Sequence, residues 1–379
     1  MRFIPRFDMA SVGLFLAMGC CAALHVRYAH KSGKRYVYIG WFLVWTVLAA
    51  FRYVNNNGIG GADSMNYIHF FEGCFGEDIW TKTDKHMEEL FQIITKLIRS
   101  YTDNFRIYYL IVYGAIVWSY ITFINEFHSG RYSCIPLLLS AIVFTKSYNT
   151  LRTSLAASFI LTGVVLLYRK RKIRSAIVIA ASFFIHRTAI AYILFLPFYY
   201  LFKSRKLKMR YGVILAACAS GLIKVVKMWL LTGGVWLLDL FDTGMLRVYL
   251  IDPPFSRAAL LIQMSCFMAL GAVHRDLYQD LQRAEDGRFH MLYMLVFYDF
   301  IMTPVYTSCG IWRAPEYFYL PRLLMWGYTI SICRRKFARE SKVFVTLLFA
   351  AVFVALFIYN ISISKDMLMP YIFAPMVQS

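Results

Sequence analysis

The chain has 379 residues, of which 59% are hydrophobic, 18% aromatic and only 16% charged, and its mean hydropathy is +0.53. A soluble domain could not hide so much apolar surface and would carry more charge. The formal net charge of +20 would suit nucleic acid, but the Lys and Arg residues lie in short loops between apolar runs, the distribution that orients a membrane protein.

The apolar runs are about 17 to 21 residues long, the length of a helix that crosses hydrocarbon. None keeps the period-2 alternation of a barrel strand. They predict an all-α, polytopic transmembrane protein of about 10–12 spans. In chain order the spans fall at 9–28, 36–53, 105–125, 132–148, 151–168, 211–231, 258–273, 290–306, 317–333 and 343–359. The first has no small-residue cleavage site behind it and reads as an uncleaved span. The longest polar connection is 54–104, and no long repeat or low-complexity stretch interrupts the chain, so 1–379 reads as a single transmembrane domain. The 8 cysteines form no Cys-x-x-Cys pair and read as small apolar side chains within helices.

Basic loops are expected on the cytoplasmic side. The strong clusters are Arg169, Lys170, Arg171, Lys172 and Arg174; Lys203, Arg205, Lys206, Lys208 and Arg210; and Arg334, Arg335, Lys336, Arg339 and Lys342. Placing them inside, with the weaker Lys31, Lys34 and Arg35, leaves both termini outside. Parity then requires 175–202 to cross twice or re-enter as a broken hairpin. With about 14 residues, or ~20 Å of helix, per arm against ~30 Å of hydrocarbon, its tip stops inside the membrane. That tip carries His186 and Arg187.

The outer side then collects Arg52, Asp63, Arg106, Arg152, the His186 and Arg187 tip, Lys224, Lys227, Arg247, Arg257, Arg313, Glu316 and Arg322. Ionisable groups at membrane depth mark a wet site or a paired network. An excess of guanidinium over carboxylate favours an anionic ligand, phosphate above all. Each residue also has a structural reading. Arg52 and Arg106 lie near span ends and can snorkel, His186 can be a tertiary contact at a turn, and Glu316 follows Pro315 where a helix start favours an acid. The Glu77–Asp78 pair reads as a solvated loop. No His-Glu-x-x-His, Gly-x-Ser-x-Gly or phosphate-loop motif is present, and the histidines lack metal-ligand spacing, so neither metal nor cofactor is expected.

Several segments together resemble the Wzy-type and EpsG-type polymerases of bacterial surface polysaccharides. Phe51, Arg52 and Tyr53, followed by Gly60, Gly61, Ala62, Asp63, Asn66 and Tyr67, are similar to the family's outer segment. Asn149, Thr150, Leu151, Arg152 and Ala156 are similar to its Arg-led span. Phe184 to Ile190, containing His186 and Arg187, is similar to its His-bearing hairpin. Arg313, Tyr317 and Phe318, then Met369, Pro370 and Tyr371, are similar to its late motifs. The chain departs from the pattern in an extra residue near Gly60 and Gly61, in Thr153 where Gln is common, and in Arg187 after the histidine.

The resemblance implies a GT-C-like membrane glycosyltransferase of the bacterial inner membrane with a site facing the periplasm. It would transfer a glycan from undecaprenyl diphosphate to another undecaprenyl-diphosphate-linked repeat unit, with membrane lipid around it, a chain-length regulator as a further partner, and no nucleic acid. A diphosphate leaves without protonation, so a single general base and inversion are expected, with no metal. Diphosphate binding is assigned to Arg152 and Arg313 first, then Arg52 and Arg187. His186 is assigned as base, with Asp63 and Glu316 as rivals. The alternatives are an O-antigen ligase-like transferase and a flippase or exporter of the lipid-linked oligosaccharide, the latter expected to show an internal repeat.

Overall fold

The computed structural model describes residues 8–32, 37–203 except 83, 85 and 86, isolated positions between 214 and 229, and 287–308, 313–336, 339–363 and 371–373. The described chain is all-helical, and among the described residues four helices are long and apolar enough to cross a membrane. The protein is an integral membrane protein. The described chain divides into two compact units, Met1–Ala189 with Trp326–Ser379, and Ile190–Met325.

The first unit opens with α1 (Met9–Ser32) and α2 (Val37–Ala50), both expected as spans. The expected polar connection 54–104 contains two helices of its own, α3 (Ser64–Gly73) and α4 (Glu89–Arg99). α4 has Glu89 in its first turn and Lys96 and Arg99 in its last, so its charges complement the helix dipole. It buries Phe91, Thr95 and Ile98 and packs on α3, on α5 (Phe105–Phe127) and on α8 (Lys172–Ile185). The expected span 132–148 is one of the shorter apolar helices, irregular along its length and broken near its start: 3₁₀ segments Gly130–Cys134 and Pro136–Leu139, the short helix α6 (Ser140–Thr145), and a 3₁₀ turn Lys146–Tyr148. Pro136 accounts for the break, since it lacks the N–H that a continuous helix needs and clashes with the preceding turn.

α7 (Leu151–Tyr168) and α8 (Lys172–Ile185) form the tightest helix pair of this unit. The link between them is three residues, with Lys170 in the left-handed region at φ 62°. Gly163 lets α8 approach, because a Cβ there would collide with the Ile179 side chain, and the Ser175 hydroxyl donates to the Gly163 carbonyl at 2.7 Å. So short a turn sends α8 back along α7, carrying its C-terminal His186 toward the start of α7 at Arg152. The helix stops at His186, whose backbone is extended (φ −157°, ψ 121°), and a 3₁₀ turn Arg187–Ala189 follows. This is the break expected in 175–202. α13 (Arg339–Ile363) and the segment 371–373 also belong to this unit.

Arg52 ties the unit together. Its guanidinium is buried, donating to the carbonyls of Ala49 and Gly60, to the Ser64 hydroxyl at 3.0 Å and to the Tyr113 hydroxyl at 2.9 Å. The rings of Tyr109, Tyr113 and Tyr148 surround it with centroids 4.3–5.0 Å from Cζ, an arrangement that stabilises a desolvated cation. The adjacent backbone pairs with the other end of the chain. Tyr53 N–H donates to the Ile372 carbonyl, Arg52 and Phe373 form an antiparallel bridge, and the Tyr371 hydroxyl donates to the Leu48 carbonyl at 2.6 Å.

Gly61 shows how tight this frame is. Its φ is +120°, and a Cβ would lie 2.7 Å from the Tyr148 carbonyl oxygen and 2.6 Å from Ser64 Oγ. Gly61→Ala is therefore expected to destabilise the protein by about 1–3 kcal/mol. Thermal unfolding in detergent reads this out, and an unchanged midpoint would remove Gly61 from the frame.

The second unit contains α9 (Ile190–Ile193), α10 (Phe195–Phe202), α11 (Gly287–Ser308), the 3₁₀ turn Ala314–Phe318 and the first part of α12 (Tyr319–Lys336). Its core is aromatic. Tyr192 stacks on Phe318 with centroids 4.5 Å apart, and Phe195 meets Tyr298 edge-on. Arg322, which the outer-side reading counted among ligand-seeking cations, makes a bidentate pair with buried Asp299 at 2.6 and 2.8 Å. Helices cover the expected spans 290–306, 317–333 and 343–359. The expected span 258–273, most of 211–231, and Lys224, Lys227, Arg247 and Arg257 lie outside the described residues.

Candidate functional site

The centre of the first unit's ionisable chemistry is Glu88, immediately before α4. It occupies the N-cap position, yet its side chain caps nothing. Instead the carboxylate bridges two other elements. Oε1 accepts from His186 Nδ1 at 2.8 Å and from the Arg187 backbone N–H at 3.2 Å, while Oε2 accepts from Arg152 Nη1 at 2.6 Å. Arg152 is also hydrogen-bonded to Tyr67 of α3. Three elements thus meet at one carboxylate, the start of α4, the first turn of α7 and the break after α8, and α3 joins them through Tyr67 on Arg152.

Glu88 is 7% exposed and His186 8%, so these are desolvated, charge-assisted hydrogen bonds and stronger than surface pairs. Burial works against the ionised form of Glu88, but the hydrogen bond and charge of His186, with the Arg152 charge behind them, outweigh it. Together they bring the carboxyl down from 4.5 to about 2. At neutral pH Glu88 is a carboxylate acting only as acceptor. It therefore holds a proton on His186 Nδ1, so that when the ring is neutral Nε2 is its basic nitrogen. A carboxylate that orients an imidazole in this way is the recurrent support of a general base.

The structure brings together three of the residues singled out from sequence, His186, Arg152 and Arg187. The Arg187 side chain is exposed, and its charge reaches Glu89. Asp63 stands at the start of α3, half-buried, with its backbone N–H donating to Asn149 Oδ1 at 2.9 Å. That bond joins the Gly-Gly-Ala-Asp segment to the Asn-Thr-Leu-Arg segment that opens α7. Arg52 is built into the frame described above, its guanidinium hydrogen-bonded to Ala49, Gly60, Ser64 and Tyr113. Arg313 and Glu316 belong to the second unit, where Glu316 N–H donates to the Arg313 carbonyl at 3.0 Å across the 3₁₀ turn.

Sequence reasoning missed Glu88. An acid at a helix start has a sufficient structural explanation, and Glu88–Glu89 before an amphipathic run looks like dipole chemistry alone. The usable signal was scarcity: an outer side rich in guanidinium and poor in carboxylate needs an acid wherever its cations are buried.

The model of the EpsG family matches residues 35–373. The chain belongs to the EpsG family. The matched region contains every residue of the Glu88 cluster, and membership implies a role in exopolysaccharide biosynthesis. No curated protein matches the chain, and no solved structure does. The EpsG resemblance read from the Arg152 and His186 segments is thus established at the level of family, and the two segments meet in space at Glu88.

Proposed function

We propose that this EpsG-family protein polymerises undecaprenyl-diphosphate-linked oligosaccharide repeat units into a surface polysaccharide at the periplasmic face of the bacterial inner membrane. The observation that carries the reading is the Glu88 carboxylate holding His186 through Nδ1 and Arg152 through a guanidinium nitrogen. The acceptor hydroxyl oxygen bonds to the anomeric carbon of the donor and its proton passes to His186 Nε2. The bond from that carbon to the diphosphate oxygen breaks, and its electron pair leaves on undecaprenyl diphosphate. A single displacement of this kind inverts the anomeric centre. Glu88 stabilises the imidazolium as it forms, and the guanidinium of Arg187, exposed at the same turn, meets the charge that develops on the leaving diphosphate. Arg152 offsets the Glu88 charge, so that the carboxylate orients His186 without repelling the anionic donor.

The test is direct. Purified protein incubated with lipid-linked repeat units should give a ladder of products spaced by one repeat. A single transfer to a lipid core acceptor would establish the ligase reading, and movement of intact lipid-linked units across a proteoliposome membrane without new glycosidic bonds would establish the flippase reading. Family membership in exopolysaccharide biosynthesis supports the first outcome.

A further inference from the structure

Tyr67, one turn into α3, is 3% exposed and touches two other helices. Its ring meets Phe91 of α4 edge-on, with centroids 6.0 Å apart. Its hydroxyl oxygen takes a hydrogen bond from the guanidinium of Arg152 in α7, a group that can only donate. One side chain thus connects the helix that follows Glu88 with the helix that carries Arg152. α3 is itself fixed at its start, where the Asp63 N–H donates to Asn149 Oδ1 and the Tyr109 hydroxyl donates to the Ser64 carbonyl, each at 2.9 Å. Tyr67 is therefore a rigid acceptor for Arg152.

The geometry at Glu88 gives that acceptor a use. Oε1 accepts from His186 Nδ1 at 2.8 Å and from the Arg187 N–H at 3.2 Å, which occupies its two lone pairs. Arg152 Nη1 donates to the other oxygen, Oε2, at 2.6 Å. A guanidinium and a carboxylate prefer to meet fork to fork through both oxygens, and the Arg322–Asp299 pair of the second unit takes that form. The same fork at Glu88 would bring an Arg152 N–H onto Oε1, in competition with the imidazole. The Tyr67 hydroxyl gives the guanidinium a neutral acceptor outside the carboxylate, so Arg152 satisfies its donors without turning onto Oε1.

We propose that Tyr67 is a positioning residue: it holds Arg152 to the Oε2 side of Glu88 and so reserves Oε1 for His186. This rests on the polymerase reading for the role of His186, and on the hydrogen bonds around Glu88 for the role of Tyr67.

The experiment uses the full chain in detergent with lipid-linked repeat units as substrate. Tyr67→Phe keeps the ring against Phe91 and removes the hydroxyl alone. The expected result is a fall in kcat of about tenfold, the share of one orienting hydrogen bond to a charged group, with KM within about twofold, since in this role Tyr67 acts through His186. The ring is then read without turnover, by nitrogen NMR of histidine-labelled protein in alkaline buffer, with the His186 signals assigned by their absence from His186→Asn. Wild type should carry its proton on Nδ1, and Tyr67→Phe should show both tautomers. A His186 proton that stays on Nδ1 in Tyr67→Phe would overturn the proposal, as would an unchanged kcat in a protein whose polymerisation requires His186, or a fall in kcat that only follows a loss of folded protein in thermal melts. Mixed tautomers in Tyr67→Phe together with normal polymerisation by His186→Asn would uphold the positioning and end the base assignment. An unmoved proton together with polymerisation that requires His186 would end the positioning and leave the base assignment standing.

Discussion

Glu88→Ala is expected to abolish polymerisation and to destabilise the protein by about 3–5 kcal/mol, because it leaves the Arg152 guanidinium desolvated without its carboxylate. Glu88→Gln keeps the shape and one acceptor oxygen, so it should fold better than the alanine variant and still lose activity with the orienting charge. The pH dependence follows from the direction of the shift. A carboxyl whose folded value is about 2 against an ordinary 4.5 contributes stability that is fully present above about 4.5 and is lost as pH falls toward 2. Thermal midpoints of detergent-solubilised protein between pH 7 and pH 3 should therefore fall more steeply in the wild type than in Glu88→Gln. Equal acid sensitivity of the two proteins would exclude the ionised Glu88 bridge.

His186→Asn should lower polymerisation by roughly 10²- to 10⁴-fold, the usual cost of a lost general base, with little loss of stability. The choice of asparagine matters. Its amide nitrogen sits close to where Nδ1 sits and still donates to Glu88, but it offers no basic nitrogen at the Nε2 position. His186→Ala removes both functions and also opens a cavity, so it cannot separate them. Polymer yield, thermal midpoint and substrate affinity measured on one preparation decide the matter. A stable His186→Asn protein that polymerises normally would end the assignment of His186 as base, and Asp63→Ala and Glu316→Ala would then be the next variants to assay.

The helices were largely legible because hydropathy blocks and basic loops speak locally: α5, α7 and the break at His186 all fall where length and charge put them. The failures lie where tertiary context overrides local pattern. The run 132–148 is an apolar helix as expected, but its regularity is not legible, since Pro136 divides it into 3₁₀ and α segments. In the site, Arg152 and His186 announced themselves as charges out of place in apolar surroundings. Glu88 did not, since its sequence neighbourhood is polar and its importance comes from partners 64 and 98 positions away. Arg52 was equally visible as an anomaly, but no periodicity reveals that three tyrosine rings from later in the chain enclose it.

The pairing of residues 52 and 53 with 372 and 373 carries a consequence for how this protein is made. Tyr53 N–H and the Leu48 carbonyl, at the end of the second helix, pair with Ile372 and Tyr371, which leave the ribosome more than three hundred residues later. Until then the helix end must satisfy those groups with water or with the insertion machinery, because an unmet backbone group in hydrocarbon costs several kcal/mol. The first spans thus enter the bilayer early and reach their final packing last, and ribosomes stalled late in the message would release chains whose beginning is still open.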